Sequence, residues 1–486
     1  MAEDGHLKTR PTLDDIPDEE LNRLKERGFD WIYLLGIWQT GEESRKVSLY
    51  NQNLRKEYER ILPGFEDSDI CGSCFAIKEY RVNEELGGNV SLGKFRSRLH
   101  DRHMRLILDF VPNHTALDHP WIQEHPEYYV KGTETDYEKD RTKYKKYLEG
   151  KDPIFIAHGR SQYDPSWPDT FQLDYSQQSL INAMIGELSK VADLCDGVRC
   201  DMAMLVLPDV FLKTWGIEAK PFWQKAIEDV HKAHPNFTFM AEVYWDMEWR
   251  LLELGFNYAY DKRLYDRLLS KSPRDVRDHL RADLGYQKKM VRFLENHDES
   301  RAADIFSSVF FHQAAAILTF FSPGLRFFHD GQLKGQKKKI SVHLCRRPKE
   351  TSDIVLWYFY IRLLNCIRDH IAFRHGVWNL LECSPSRDGD RTWENFIAFT
   401  WKEIEGNLFL VAVNYAEAQG QCCIRLPFKD LKEGKYKVEE ILSDTYKIIL
   451  SGDDLVSPGL CLDLPPWGYH ILEIEKRTEN PRFVEL

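Results

Sequence analysis

The stretch Met104-Arg105-Leu106-Ile107-Leu108-Asp109-Phe110-Val111-Pro112-Asn113-His114 is an apolar run that ends in a carboxylate, a proline and two polar side chains. A strand that is apolar at nearly every position is buried on both faces, as the strands of a helix-covered parallel sheet are. Three later stretches repeat the pattern: Gly197-Val198-Arg199-Cys200-Asp201, then Ala241-Glu242-Val243, then Glu295-Asn296-His297-Asp298. Each sets a carboxylate at the C-terminal end of a β-like run. A parallel barrel collects its functional groups at those ends, so four of them predict one shared pocket. Carboxylates with Arg and His among them suit acid–base chemistry on a neutral polar substrate such as a sugar.

Outward from these stretches, helical and strand patterns alternate. Residues 12–28 begin with Thr12-Leu13-Asp14-Asp15 and read as an amphipathic helix stopped by Gly28. Residues 31–36 read as a buried strand, 91–103 as a helix capped by Ser91, and 104–111 as the next strand. Helix 180–194 leads to strand 197–201, and helix 222–233 to strand 237–243. A weaker strand lies at 256–260, another at 290–294, and the last, 325–328, follows an apolar helix at 312–320. Seven such strands predict an α/β fold, a closed (β/α)8 TIM-type barrel. No Gly-rich phosphate loop follows the first strand, which excludes a dinucleotide-binding sheet. Residues 1–11 offer only a weak extended segment, so the first barrel strand is weak or missing.

Two regions break the alternation. Residues 115–178, rich in Tyr, Lys, Asp and Pro, form too long a connection for a simple loop and read as an inserted domain after the third strand. Beyond a long helix at 352–373, short alternating strands separated by Gly, Asn and Asp turns read as an antiparallel β-sandwich. The expected domains are therefore the barrel at 1–114 and 179–385, the insertion at 115–178 and the β-sandwich at 386–486.

Composition narrows the function classes. With 486 residues and a net charge of −11, the chain lacks the basic balance that nucleic acids and anionic membranes require. No apolar run is long enough to span a bilayer, and the acidic N-terminus has no signal-peptide core. The 10 cysteines are scattered, and Cys71-Gly72-Ser73-Cys74 is a lone C-x-x-C. They read mostly as free, buried thiols, which implies a cytoplasmic location. The 13 Trp and 22 Tyr serve large cores or sugar platforms.

The four stretches, in order, spacing and strand context, resemble the conserved regions of the alpha-amylase family, glycoside hydrolase family 13. Phe171-Gln172-Leu173-Asp174-Tyr175 is similar to its short motif near the end of the insertion. Pro323-Gly324-Leu325-Arg326-Phe327-Phe328-His329-Asp330 is similar, with altered residues, to its eighth-strand segment. The resemblance implies a retaining glycoside hydrolase acting on α-glucosidic bonds of oligo- or polysaccharides. Asp201 is then the nucleophile, Glu242 the acid/base and Asp298 the carboxylate that binds sugar hydroxyls. Arg199, two residues before Asp201 and on the same strand face, would hold the nucleophile ionised. The apolar Phe239, Met240 and Ala241 would help keep Glu242 protonated. His114 and His297 would hydrogen-bond the sugar, and Asp109 would brace the region of Asp201 and Arg199. Tyr244 is a sugar platform or a core side chain. Asn113 either caps its loop or binds a structural Ca2+; no other cofactor is required.

Taken singly, Asp201 is a salt-bridge partner of Arg199, and His114 and His297 are structural histidines. Taken together they are not independent, because unrelated structural needs do not place all of them at matching strand ends. The segment Met202-Ala203-Met204-Leu205 lacks the Lys-His pair that many endo-acting amylases use. Hydrolase, transferase or phosphorylase therefore stay open, as does a catalytically silent binding protein. The oligomeric state is not legible.

Overall fold

The computed structural model describes residues 11–149, 152–163, 165–404, 406–431, 434–443 and 446–477. The chain forms two compact units, Met1–Tyr260 with Lys338–Glu350, and Asp261–Lys337 with Thr351–Leu486. The weak first strand expected within residues 1–11 falls almost wholly outside the described residues.

In the first unit five strands run parallel: β1 (Trp31–Leu34), β2 (Arg105–Phe110), β3 (Gly197–Cys200), β4 (Thr238–Ala241) and β5 (Tyr258–Tyr260). The register sets Arg199 beside Asp109 on one side and Met240 on the other. At Gly197 a Cβ would lie 2.7 Å from the Thr238 carbonyl oxygen, so only glycine lets β3 and β4 approach. The helices before β2, β3 and β4 are Gly88–His100, Gln178–Leu194 and Trp223–Ala233. Each buries an apolar stripe, for example Leu92, Phe95 and Leu99 on the first.

Two helix starts differ from the sequence reading. The segment expected as one helix from residue 12 splits into a 3-10 turn, Leu13–Asp15, and the helix Asp18–Glu26. Thr12 forms its capping box with Asp15 of the turn, and Pro17, which has no N–H to give, stands at the helix N-cap. Ser91 is not a cap either: the helix begins at Gly88 and the Ser91 hydroxyl donates to Asp14 at 2.9 Å.

The stretch from 115 to 178 carries a three-stranded antiparallel sheet of Lys131–Gly132, Asp152–Ala157 and Tyr144–Glu149. A second pairing joins His114–Ala116 to Thr170–Gln172, with His114 opposite Gln172. It ties the end of this stretch back to the residues that follow β2.

The second unit holds a parallel pair of its own, β6 (Met290–Arg292) and β7 (Leu325–Arg326), with the apolar helix Val309–Phe320 between them. Its C-terminal part holds a six-stranded antiparallel sheet and a three-stranded one. Their inner faces share one core, in which Ala398, Leu410, Val438 and Leu472 meet Cys422, Ile424, Leu460 and Leu462. In the smaller sheet Cys423 lies directly opposite Cys461, and the two form a disulfide. The other eight cysteines are free. The reading of mostly free thiols meets one exception, this pair. Among the described residues no helix is long and apolar enough to cross a membrane.

Candidate active site

Three strand ends of the first unit converge on one guanidinium. Arg199 is wholly buried; its Nη1 donates to Asp201 Oδ1 at 2.7 Å and its Nη2 lies 2.9 Å from Glu242 Oε2. Asp109, from the neighbouring strand β2, stands 3.5 Å from Nη1. The tie follows from strand geometry. Arg199 and Asp201 are two residues apart and share a face, while the parallel register brings Asp109 and the residues of β4 alongside.

Asp109 and Glu242 have further donors. Asp109 accepts from the Tyr33 hydroxyl at 2.6 Å and from the Gly36 N–H at 2.8 Å. Glu242 Oε2 accepts from the Met202 N–H at 2.7 Å, and Oε1 from the Tyr244 hydroxyl at 2.9 Å. Met202 has φ 42°, a left-handed conformation rare for a non-glycine residue, and this turn aims its N–H at Glu242. The Phe75 ring lies over the Arg199 guanidinium at 5.3 Å, and the Tyr260 ring at 5.8 Å.

One positive charge against three carboxylates leaves the cluster short of cations. Burial pushes the Asp201 carboxyl well above its ordinary range; Arg199 pulls it back, and Glu242 and Asp109 push it up again. Burial likewise raises Asp109, against Arg199, Tyr33 and Gly36. The guanidinium expected to hold Asp201 ionised is shared with Glu242 and Asp109. The apolar Phe239, Met240 and Ala241 lie buried in β4, yet the groups that touch the Glu242 carboxylate are donors.

His114, next along the chain from β2, is buried, tilts against the Trp167 ring at 5.2 Å and bonds to the backbone of Phe75. Burial pushes it down to about 4, so it is a neutral imidazole at physiological pH. Asn113 is engaged elsewhere. Its Nδ2 donates to Gln172 Oε1 at 3.1 Å, and Gln172 Nε2 donates back to Asn113 Oδ1 at 3.0 Å and to the Asn113 carbonyl at 2.9 Å. An amide N–H thus points at the oxygens a calcium ion would need, so these residues as placed do not fit the expected Ca2+. Among the described residues no group of three or more His, Cys, Asp or Glu could hold a metal ion.

In the second unit His297 and Asp298 follow β6. The His297 Nε2 is 3.0 Å from Asp298 Oδ2, and the Asp298 side chain is 41% exposed. The Asn296 amide oxygen accepts from the Asp298 N–H at 2.9 Å and the Glu299 N–H at 2.8 Å, which fixes the turn that presents Asp298.

The structure thus gathers Asp109, Arg199, Asp201, Glu242 and Tyr244 into one cluster of ion pairs and hydrogen bonds, with Asn113 and His114 just beyond β2. Sequence reasoning missed Tyr33, Gly36, Phe75 and Tyr260. Phase of a repeat could not find them, because Gly36 and Phe75 sit in loops without periodicity.

Comparison with known proteins agrees with the architecture. Residues 18–357 match the family model "Alpha amylase, catalytic domain". The chain belongs to the alpha-amylase family and has its TIM-barrel fold. Among relatives, the alpha-1,4-glucan:maltose-1-phosphate maltosyltransferase of Cereibacter sphaeroides is 25% identical over 269 residues, 53% of this chain. The match covers 38% of that protein, well under half of its length. A noncanonic maltogenic alpha-amylase, AmyB of Thermotoga neapolitana, shares the fold with TM-score 0.67 at 21% identity, covering 95% of this chain and 94% of that one. The alpha-amylase of Geobacillus thermoleovorans, solved in complex with acarbose, shares it with TM-score 0.65 at 17% identity, covering 96% and 93%.

Proposed function

We propose that the protein is a retaining glycosidase acting on α-glucosidic bonds of oligo- or polysaccharides. Asp201 attacks the anomeric carbon while Glu242 gives its proton to the leaving glycosidic oxygen. The C–O bond breaks and a covalent glycosyl ester of Asp201 forms. Glu242, now a carboxylate, takes a proton from water. The resulting hydroxide attacks the anomeric carbon, frees Asp201 and restores the α configuration. Asp298 and His297 hold sugar hydroxyls, the neutral His114 donates to the sugar without adding charge, and Asp109 braces Arg199.

The observation that carries this reading is the Arg199 guanidinium, which bridges Asp201 and Glu242. Retention needs the two carboxyls roughly 5–5.5 Å apart, and a shared guanidinium is a device for holding like charges that close. A sugar that displaces water from the cluster strengthens the field of Arg199 on Asp201.

A transferase reading has support of its own. The relative above is a maltosyltransferase, and the turn Ala203–Val206 that follows Asp201 is apolar and buried, with no polar side chain to order a water.

The test is a panel of aryl α-glucosides, malto-oligosaccharides and isomalto-oligosaccharides, with maltose 1-phosphate plus a glucan acceptor as the transfer arm. Asp201→Asn and Glu242→Gln are assayed beside the parent. The parent releases or transfers sugar with retention, seen by NMR of the first-formed anomer, and Asp201→Asn loses at least about 10³-fold. A parent silent on every substrate, or variants that match it, overturns the reading. Transfer without hydrolysis selects the second.

A further inference from the structure

We propose that Tyr244 is a positioning residue for the acid/base Glu242, and that the proton Glu242 transfers is carried on Oε1, the oxygen Tyr244 touches. The inference rests on the glycosidase reading and names a residue that reading leaves as a sugar platform.

Glu242 has two chemically different oxygens. Oε2 faces two groups that cannot reverse, the Met202 N–H hydrogen-bonded at 2.7 Å and the Arg199 guanidinium in ion-pair contact at 2.9 Å. A proton on Oε2 would have to displace one of them. Oε1 faces the Tyr244 hydroxyl at 2.9 Å. A hydroxyl both donates and accepts, so it accommodates the carboxyl and the carboxylate alike. When Glu242 gives its Oε1 proton to the glycosidic oxygen, the charge left behind meets the Tyr244 O–H, and a donor to an ionised oxygen is stronger than one to a neutral oxygen. When Glu242 later takes a proton from water, the same contact relaxes. Tyr244 loses no proton in either half.

The backbone is built to hold the phenol there. Trp245 and Asp246, directly after Tyr244, have φ 62° and 63°, two successive non-glycine residues in the left-handed region. The Trp245 ring is met edge-on by Tyr163 at 4.9 Å. The chain therefore turns sharply just beyond Tyr244, and the segment between the end of β4 at Ala241 and this turn carries both Glu242 and Tyr244. A side chain that served only as a sugar platform would not need its hydroxyl on the acid/base.

The test is Tyr244→Phe, which removes the hydroxyl and keeps the ring. kcat/KM is measured on maltotriose, whose leaving group needs a proton, and on α-glucosyl fluoride, whose leaving group does not. The unfolding midpoint is recorded beside both. The expected result is a loss of about tenfold or more on maltotriose and under about threefold on the fluoride, the size of one charge-assisted hydrogen bond. Equal losses on the two substrates, or no loss, overturn the proposal while the glycosidase reading stands. A variant too unfolded to act on the fluoride gives equal losses and counts against it. A parent inactive on both substrates overturns both readings.

Discussion

Two buried ion clusters, one in each unit, are built from the same residue types and balanced in opposite ways. In the first, Arg199 is the one guanidinium facing Asp109, Asp201 and Glu242. In the second, Asp261 is the one carboxylate facing Arg292 and His279, the latter at 3.0 Å, with the Leu264 N–H at 3.0 Å. Arg292 Nη2 donates to Gln287 and Nε to the Pro323 carbonyl at 2.8 Å. Burial alone would raise Asp261, but Arg292 and His279 overturn it and hold the carboxyl at about 2. Burial raises Asp201, and its neighbours leave it raised. The cluster with matched charges is a brace. In the cluster with surplus carboxylates Asp201 and Asp109 hold a proton more readily than free carboxyls do, as groups tuned for acid–base work are.

The contrast breaks most visibly under substitution. Asp261→Asn leaves Arg292 buried without its counter-charge and costs about 3–5 kcal/mol, read as a lowered urea midpoint. A loss under about 1 kcal/mol would show that the second cluster is not the brace described.

Acid separates the two clusters by sign. The lowered Asp261 contributes about 2 kcal/mol, from roughly 1.4 kcal/mol per pKa unit. That stability is present above the unfolded value of 3.8 and is lost as pH falls through about 2. A raised carboxylate acts the other way. Asp201 stabilises fully below 3.8, and the contribution is lost as pH rises through its elevated folded value. Unfolding free energies of the parent, Asp261→Asn and Asp201→Asn across acidic pH should therefore diverge in opposite directions.

The smallest effect is on the stability of Asp201→Asn near neutral pH. Removing one of three mutually repelling carboxylates leaves the unfolding free energy within about 1 kcal/mol of the parent or above it. A loss above about 2 kcal/mol would make Asp201 a structural partner of Arg199 and nothing more.

Much of this was legible in the chain because buried parallel strands announce themselves as apolar runs. Residues 104–111 and 197–201 read as strands, and their ends carry Asp109 and Asp201. The period-2 face rule paired Arg199 with Asp201 before any coordinates. What it could not supply was sharing across strands: that Glu242, just past the end of β4, takes the other half of Arg199 depends on register, which no single strand encodes. Tyr33 and Phe75 come from residues around β1 and a loop with no repeat. Gln172 sat inside a recognised motif, yet its role as the amide partner of Asn113 needed the pairing of His114–Ala116 with Thr170–Gln172. The disulfide escaped for a related reason, since Cys423 and Cys461 are 38 residues apart and meet only through strand register.

The most direct test of Asp201 as nucleophile uses Glu242→Gln with α-glucosyl fluoride. Fluoride departs without an acid, while the missing base stalls release of the ester, so a glycosyl adduct accumulates and is located by mass spectrometry of proteolytic peptides. An adduct of one glycosyl unit on Asp201 is the predicted result. An active parent whose Glu242→Gln variant carries no adduct, or carries it on another residue, contradicts it.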